Sequence, residues 1–352
     1  MTQNKKKVLF FIPTTVGGAE RVMLNYAHLL DDEIFEIVYV LIGGDESNIR
    51  KLLPETAKTY SIKIRNINKW GCWRICKILK QEKPDSAFSS MFWINVRLLI
   101  ACRFIGVKAI VRNNITINRL QTWMRALVRW TYKYAHLIIV QQEEMYQELC
   151  DEIPDCKDRI KVVYNPFLPD VIDKMKDEEN PYPNIKQTNF LWAARFSQEK
   201  GHDILVKAFE KVVEKIPNAH LYLLGKYNPQ NDFYKEVTGY IKEHDLTARV
   251  HVVGFDSNPY RWIYRCDCFV MPSRIEGLPN ALIEAMYLRR PVVATECIPI
   301  VSRMVEEGYN GYVVEPESVV ALATAMEKAI ELKNFRMTYK PTSKEDVEKI
   351  FI

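Results

Sequence analysis

Two glutamates in the C-terminal half of the chain are spaced so that a phosphate could bind between them. Glu276 follows a short apolar run at 268–271, and Glu284 lies in a predicted helix that begins at Pro279. Proline suits the first helical position, where no N–H is needed. The remaining N–H groups and the positive end of the helix dipole favour a phosphate at residues 277–280. A nucleotide sugar, which has hydroxyl-bearing rings on both sides of a diphosphate, fits this arrangement.

A pair of cations lies in the same half of the chain. Arg195 and Lys200 follow the apolar run 190–194, immediately before a helix predicted to begin at Gly201. Cations at the end of a strand can neutralise a departing diphosphate. Two solvated loop charges are the alternative, and the nearby acids favour the functional interpretation. His202, which follows Gly201, is interpreted mainly as a structural residue.

The first strand-to-helix turn contains Gly17 and Gly18, which would let the backbone approach a ligand closely. The pattern is not Gly-x-Gly-x-x-Gly, so a dinucleotide site is disfavoured, and a tight turn without ligand remains the alternative. The sequence has no P-loop motif, no Asp-x-Asp and no histidine pair. We therefore expect no metal and no cofactor, with the nucleotide sugar as co-substrate.

These residues need a scaffold of alternating strands and helices. The predicted strands are 7–12, 35–42, 86–90, 109–112, 137–140, 190–194, 220–225, 250–254, 268–271, 291–295 and 311–314. The predicted helices are 18–30, 48–53, 70–81, 94–105, 118–134, 143–151, 201–215, 232–244, 259–265, 279–288, 298–307 and 318–332. Such alternation predicts parallel sheets covered by helices.

Composition shifts divide this scaffold into two domains. We predict an N-terminal acceptor-binding domain at 1–165, a linker at 166–186 that is rich in proline and charge, and a C-terminal nucleotide-sugar domain at 187–335. The final segment, 336–352, is expected to return to the first domain. Two such domains predict a ligand cleft between them, facing the carboxyl ends of the strands.

Charge is unevenly distributed along the 352 residues. Between 56 and 142 there are 16 Lys and Arg against two acids, Glu82 and Asp85. This half of the chain is therefore expected to meet an anionic partner. Neither a signal peptide nor a membrane-spanning run is recognised, and the eight cysteines lack zinc spacing. These features predict a cytoplasmic protein with reduced thiols.

The predicted helix 118–134 mixes aromatic and basic residues at helical spacing, as an interfacial helix does. A core-facing helix with a solvated face is the alternative, and the surrounding positive charge favours a membrane surface or a pyrophosphate-lipid acceptor. No nucleic-acid recognition module is present. The residues predicted to bind the membrane are Arg119, Trp123, Arg125, Arg129, Trp130 and Lys133.

Taken in order, Gly17-Gly18-Ala19-Glu20, Arg195 with Lys200, and Glu276 to Glu284 within Glu-Gly-Leu-Pro-x-x-Leu-Ile-Glu-Ala resemble glycosyltransferase family 4. The resemblance covers essentially the whole chain. It implies a GT-B fold, in which two Rossmann-like α/β domains face each other across a cleft, and a retaining reaction.

The resemblance also implies roles for individual residues. Arg195 and Lys200 would grip the diphosphate, Glu276 would contact the sugar and Glu284 the ribose. Arg195, Lys200 and Glu276 are the predicted catalytic residues. The predicted donor-binding residues are Gly17, Gly18, Gly254, Phe255, Gly277, Leu278, Pro279, Asn280 and Glu284.

The chain departs from the family pattern at one predicted strand end. Where many relatives carry a histidine near the reacting sugar, this sequence offers Arg112, Asn113 and Asn114, which we predict to bind the acceptor. The C-terminal segment from 340 to 352 is also shorter than the returning helix that the family usually has.

Together with the resemblance, the sequence predicts a metal-independent, retaining hexosyltransferase. The resemblance alone implies a donor of UDP with a hexose or N-acetylhexosamine, and the acceptor would be a lipid-linked or cell-surface glycan such as lipopolysaccharide or capsule. The acceptor would be met at the inner face of the cell membrane, with the enzyme bound peripherally. A nucleotide-sugar 2-epimerase and a non-catalytic nucleotide-sugar-binding membrane scaffold are the alternatives.

Overall fold

The structure, a computed structural model, describes residues 5–14, 17–184, 186–333, 337 and 342–352, with the backbone alone at 64–70. Two compact units divide the chain. The N-terminal unit comprises Met1–Leu168 with Pro341–Ile352, and the C-terminal unit comprises Pro169–Lys340.

The N-terminal unit is built on a seven-stranded parallel sheet with the order β3-β2-β1-β4-β5-β6-β7. Its strands are β1 Lys6–Pro13, β2 Phe35–Gly43, β3 Lys58–Lys63, β4 Ser86–Ser89, β5 Lys108–Asn113, β6 Leu137–Val140 and β7 Ile160–Val162. Its helices, apart from a last one described below, are α1 Gly18–Leu29, α2 Ser47–Arg50, α3 Ile64–Glu82, α4 Phe92–Ile105, α5 Thr122–Thr131 and α6 Glu143–Glu152.

Helices cover both faces of this sheet, which is why its central strands are apolar throughout. In β1, Leu9 and Phe11 face one core, and Val8, Phe10 and Ile12 face the other. Helices α3, α4 and α5 contribute buried side chains to the first core, and α1 contributes to the second.

The C-terminal unit repeats the pattern with six parallel strands in the order β10-β9-β8-β11-β12-β13. Its strands are β8 Thr188–Ala193, β9 Ala219–Leu224, β10 Val250–Gly254, β11 Cys268–Met271, β12 Val292–Thr295 and β13 Gly311–Val314. Its helices are α7 Pro169–Lys176, α8 His202–Lys215, α9 Asp232–Glu243, α10 Tyr260–Arg265, α11 Asn280–Tyr287, α12 Pro299–Met304 and α13 Val319–Ala329.

The last helix, α14 Lys344–Phe351, belongs to the N-terminal unit. The Phe351 ring lies 5.6 Å from that of Phe10 and 5.4 Å from that of Phe88. Part of the predicted linker is also packed: the Tyr182 ring lies 4.8 Å from Tyr222, and its hydroxyl donates to the Trp262 carbonyl at 2.9 Å. The predicted α/β class with parallel sheets is confirmed.

Several predicted elements differ from those of the structure. Helix α7 lies within the predicted linker 166–186, where no helix was predicted. Strands β3 and β7 were not predicted, because each is an edge strand with exposed positions instead of a continuous apolar run. The predicted continuous helix 118–134 is wrong. Leu120 and Gln121 are extended, with ψ of 140° and 153°, so α5 begins at Thr122 with a short 3₁₀ turn on either side.

The eight cysteines are free thiols. None of the helices in the described ranges is both long enough and apolar enough to cross a bilayer.

Candidate active site of the C-terminal unit

The loops that follow β8 and β11 leave the sheet at the point where the strand order reverses. Strands β8 and β11 are neighbours, whereas their chain successors β9 and β12 lie on opposite sides of them. In open parallel sheets the ligand sits outside the carboxyl ends of the strands at this switch point. The predicted cations follow β8 and the predicted acid Glu276 follows β11, so the topology brings both loops to one edge.

Lys200 and Glu276 form an ion pair at this edge. Lys200 Nζ lies 2.6 Å from Glu276 Oε1, and the two side chains are 21% and 11% exposed. An ammonium carries three N–H donors, so this contact leaves Lys200 two donors for a ligand. The pair places one positive and one negative group where phosphate and sugar hydroxyls can be bound side by side.

Two neutral residues hold Glu276 in place. The hydroxyl of the fully buried Ser273 donates to Glu276 Oε1 at 2.8 Å. The hydroxyl of Thr295, at the end of β12, donates in turn to the Ser273 carbonyl. The Glu276 carboxylate is therefore oriented by two neighbouring strands.

Arg274 ties the Lys200 loop to the Glu276 loop. Its guanidinium donates to Asp203 through Nη1 at 2.8 Å and Nη2 at 2.7 Å, and Nη1 also donates to the Gln198 carbonyl at 2.6 Å. Nε and Nη2 donate to Glu317. A guanidinium has five N–H donors, and these contacts use all five. Arg274 therefore serves as a clamp and has no donor left for a ligand.

Arg274 and its acidic partners each favour the charged form of the other. Burial would raise the pKa of Asp203, but the hydrogen bonds and charge of Arg274 outweigh burial and lower it. Hydrogen bonds to Asp203 and Glu317 raise the pKa of Arg274 in turn. Both groups stay ionised over the neutral range, so the two loops remain joined.

The two loops approach so closely that glycine is required at position 201. Gly201 has φ +65°, and a Cβ there would lie 2.0 Å from the Pro272 carbonyl oxygen. The indole N–H of buried Trp192 donates to the Lys200 carbonyl at 3.1 Å, which fixes the neighbouring backbone. His202 is fully buried and stacks on Phe196 with centroids 4.0 Å apart. Burial lowers the pKa of His202 to about 3, so the ring is neutral and has a structural role.

Arg195, the other predicted cation, is exposed on the loop after β8. It forms no hydrogen bond or ion pair with any residue that the structure describes, so its guanidinium is available to a ligand. Its predicted contact with the diphosphate stays a prediction.

The helix after Glu276 begins one residue later than the sequence indicated. Pro279 is the N-cap and Asn280 the first helical residue of α11. The Asn280 N–H donates to the Leu278 carbonyl at 3.0 Å and is therefore already used. A phosphate at residues 277–280 would accept from the N–H groups of residues that follow Asn280 in the first turn of α11. Glu284 lies four residues into α11, roughly 6 Å along its axis, and accepts from the Tyr260 hydroxyl at 3.4 Å.

Gly254 and Phe255, two of the predicted donor-binding residues, lie at the end of β10, an outer strand of the same sheet. Gly254 has φ +90° and Phe255 is 54% exposed. Lys226 Nζ stands 5.1 Å from the centre of the Phe255 ring, and the Tyr227 ring stacks on Tyr234 at 4.7 Å. Exposed rings at this strand end supply stacking faces for a base.

In the N-terminal unit, Gly17 is the N-cap of α1 and Gly18 its first residue. A Cβ at Gly17 would lie 3.0 Å from a carboxylate oxygen of Glu20, which is itself buried. A carboxylate already occupies the positive end of α1. The predicted position of Gly17 and Gly18 near a donor phosphate therefore gains no support from the charge of this turn.

The three residues predicted to bind the acceptor follow one another at the end of β5. Arg112 is 2% exposed and donates to Ser90 at 2.9 Å, to Gln141 and to Asn165. Burial lowers its pKa, with Tyr26 acting in the opposite direction.

Asn113 is also buried, and its amide donates to the Ile115 carbonyl at 2.8 Å. Asn114 alone among the three is partly exposed. Contact with the acceptor therefore stays a prediction. Asn114 is the residue best placed for it, whereas Arg112 and Asn113 are buried and stabilise the end of β5.

The residues predicted to bind a membrane fall into two groups. Arg119, Trp123, Trp130 and Lys133 are exposed. Arg125 and Arg129 also form ion pairs with the buried carboxylate of Glu152 on α6, and Arg129 is itself exposed. This carboxylate balances one of the two positive charges, a pairing that the helical spacing of the sequence did not indicate.

Sequence reasoning missed four residues that organise the site: Ser273, Arg274, Asp203 and Thr295. A signal existed for the first three, because Ser273 and Arg274 lie three and two residues before Glu276, and Asp203 lies three residues after Lys200. Thr295 comes from a different strand, and its role follows only from the sheet order.

Comparison with known proteins places these two units in one family. Residues 16–170 match the sequence model described as Glycosyltransferase Family 4, and residues 172–346 match Glycosyl transferases group 1. A glycosyltransferase of Methanocaldococcus jannaschii is 29% identical over 242 residues, which cover 64% of this chain and 59% of that protein.

A second relative matches over nearly its full length. The N-acetylgalactosamine-N,N'-diacetylbacillosaminyl-diphospho-undecaprenol 4-alpha-N-acetylgalactosaminyltransferase of Campylobacter jejuni is 23% identical, covering 97% of this chain and 94% of its own. Among solved structures, Anabaena HepE in complex with UDP and glucose aligns with a TM-score of 0.76 at 18% identity, covering 98% of this chain and 94% of that one. The predicted GT-B class, with two Rossmann-like domains, is confirmed.

Proposed function

The chain belongs to glycosyltransferase family 4, and from this premise we propose that it transfers a sugar from a nucleotide donor to a lipid-linked or polysaccharide acceptor with retention of configuration. The observation that carries the proposal is the Lys200–Glu276 pair at the switch point of the C-terminal sheet. A cation and an acid are held there together by Ser273 and Arg274.

The charges at this edge support a reaction that releases a nucleoside diphosphate. As the bond to the sugar breaks, negative charge develops on the leaving phosphate, and preorganised cations stabilise that charge. Lys200 retains two donors and Arg195 is exposed. We propose that these two cations and the start of α11 take the place that Mg²⁺ fills in other transferases.

The chemistry of retention follows from the same arrangement. In the proposed reaction the acceptor oxygen attacks the anomeric carbon on the face that the phosphate leaves, and the leaving phosphate takes the acceptor proton. Glu276 then orients the sugar by accepting hydrogen bonds from its hydroxyl groups and forms no bond to carbon. Glu284 is proposed to accept from the ribose, since it lies beyond the phosphate position on α11.

Donor and acceptor classes are proposed from the relatives. HepE was solved with UDP and glucose, which supports UDP and a hexose or N-acetylhexosamine as the donor. The Campylobacter enzyme is named for a diphospho-undecaprenol acceptor, which supports a lipid-linked glycan as the acceptor. We propose that this acceptor is met at the cytoplasmic face of a membrane.

The proposal is tested by assaying the purified protein with UDP- and GDP-sugars, with and without a lipid-diphosphate-linked glycan. We expect release of UDP and a product with retained anomeric configuration, read by NMR, only when donor and acceptor are both present. Conversion of the donor alone into its 2-epimer would instead establish an epimerase. Binding of UDP-sugar without turnover on any glycan acceptor would establish a scaffold.

A further inference from the structure

Five aromatic side chains stand exposed on the outer side of three neighbouring helices of the N-terminal unit. They are Trp73 on α3, Trp93 and Phe104 on α4, and Trp123 and Trp130 on α5, with exposed fractions between 47% and 79%. The other tryptophans with described side chains, Trp192 and Trp262, are buried. Large exposed aromatic sets mark interaction surfaces. We name this set, with the cations beside it, the aromatic–basic face.

The face is continuous because the three helices pack against one another. Cys72 Sγ lies 4.0 Å from the Arg97 carbonyl and Cys76 Sγ lies 4.0 Å from the Ala101 carbonyl, so α3 and α4 run side by side. The rings of Trp93 and Trp123 meet at 5.4 Å and join α4 to α5. The opposite sides of all three helices bury their apolar residues in one core, so the exposed aromatics share one outward direction.

Positive charge accompanies the aromatics. The sequences of α3, α4 and α5 contain one acid, Glu82, and its side chain is buried. Lys77, Lys80 and Arg103 are exposed and form no ion pair with any described residue. Lys77 Nζ lies 6.0 Å from the Trp73 ring centre. Arg97 Cζ likewise lies 5.7 Å from the Trp93 ring centre, so a cation stands beside an exposed ring on both α3 and α4.

We propose that the aromatic–basic face docks this protein on an anionic lipid bilayer. Tryptophan favours the headgroup region of a bilayer, and Lys and Arg beside it reach the lipid phosphates. A protein partner is disfavoured because protein interfaces are depleted in lysine, whereas this face pairs lysine with tryptophan. The face differs from the membrane segment expected from sequence, since its charge comes from α3 and α4 and not from Arg125 or Arg129.

This inference extends the proposed function and rests on it, because a lipid-linked acceptor is the reason for the protein to bind a membrane. Its test is nevertheless independent of turnover. Co-sedimentation is measured with phosphatidylglycerol–phosphatidylcholine vesicles and with vesicles of phosphatidylcholine alone, at low and high salt. We expect binding to the anionic vesicles that weakens steeply with salt, because exposed charges are screened.

Two variants separate the contributions of the face. Lys77→Glu/Lys80→Glu/Arg103→Glu is expected to lower the partition coefficient by at least roughly a hundredfold, since each cation near an anionic surface contributes about fivefold. Phe104→Ser/Trp123→Ser/Trp130→Ser removes three of the five exposed rings and is expected to lower binding to anionic vesicles at low and at high salt. Matched controls are Lys211→Glu and Val320→Ser, at exposed positions of the C-terminal unit.

Equal binding to neutral vesicles, or wild-type binding by both face variants, would overturn the docking surface. UDP affinity, measured in the same variants by thermal shift, is expected to be unchanged, because the face lies outside the donor site. If the face variants lose vesicle binding but keep their UDP affinity, the docking surface is supported, whatever the transferase assay shows. If the face variants lose vesicle binding and the wild-type protein does not bind UDP at all, the docking surface is still supported and the proposed function is wrong.

Discussion

Lys200 Nζ lies 2.6 Å from Glu276 Oε1, although 76 residues separate the two positions in the chain. The contact joins the loops that follow β8 and β11, the neighbouring strands at which the sheet order reverses. A ligand at the carboxyl ends of these strands therefore meets a cation and an acid on two loops that Arg274 holds together.

Removing either partner of this pair is expected to abolish most turnover. Lys200→Ala takes away a donor to the leaving phosphate, and Glu276→Gln takes away the carboxylate that accepts from the sugar. Loss of one such preorganised group costs about 10²–10³ in kcat. The measurement is initial rate with UDP-sugar and acceptor, alongside circular dichroism to establish folding.

The matched control for this pair is Lys211→Ala, a lysine on the solvent side of α8. It is expected to keep wild-type turnover. Wild-type rates in both Lys200→Ala and Glu276→Gln would remove the proposed mechanism.

Arg274 is expected to act as a positioning residue. Lysine is a point charge and cannot donate to both Asp203 and Glu317 in the fork geometry of arginine. Arg274→Lys should therefore loosen the link between the two loops and lower kcat by at least about tenfold, since small misplacements of catalytic groups are costly. Steady-state kinetics should show the loss in kcat more than in KM. Arg289→Lys, at an exposed arginine, is the control, and equal kinetics for both variants would contradict the role.

The ion pair of Asp203 predicts a pH dependence of stability. Its folded-state pKa lies below the usual value of 3.8, so its contribution is fully present above the unfolded-state value and is lost as pH falls through the folded one. The difference in unfolding free energy between wild type and Asp203→Asn should be constant near neutrality and shrink below about pH 4. Urea unfolding at several pH values measures it. A difference that grows on acidification would contradict the assignment.

Alanine substitutions at Gly201 and at Gly239, the control, test how closely the two loops approach each other. Alanine at Gly201 would meet the Pro272 carbonyl at 2.0 Å with φ at +65°, whereas a Cβ at Gly239, within α9, meets nothing within 4 Å. Gly201→Ala should destabilise by more than about 1 kcal/mol, and Gly239→Ala should stabilise by about 0.5–1 kcal/mol. Thermal unfolding tests both, and equal shifts would contradict the loop geometry.

The sequence predicted most of the scaffold because buried parallel strands are nearly continuous apolar runs. Strands such as 250–254, 268–271 and 311–314 agree with the structure at both ends. Edge strands β3 and β7 each have a single buried residue among exposed and partly exposed ones, so no such run marked them. Helix α5 was overextended because helical spacing continues through Leu120 and Gln121, whose backbones are extended.

The ion pair of the candidate site joins two charged residues that the sequence singled out, whereas the residues that support the pair were not predicted. Lys200 and Glu276 stand out by their positions after strands, and the structure pairs them. The clamp from Arg274 to Asp203 depends on how two loops pack 71 residues apart in the chain, and sequence spacing carries no information on that distance. The pairing of Arg125 and Arg129 with Glu152 escaped prediction for the same reason.

A crystal structure of the protein with UDP bound tests the central claim most directly. The account predicts the diphosphate beside Lys200 Nζ and Arg195, at the carboxyl ends of β8 and β11, with the ribose toward Glu284. A diphosphate bound away from this edge, with the Lys200–Glu276 pair unoccupied, would contradict it.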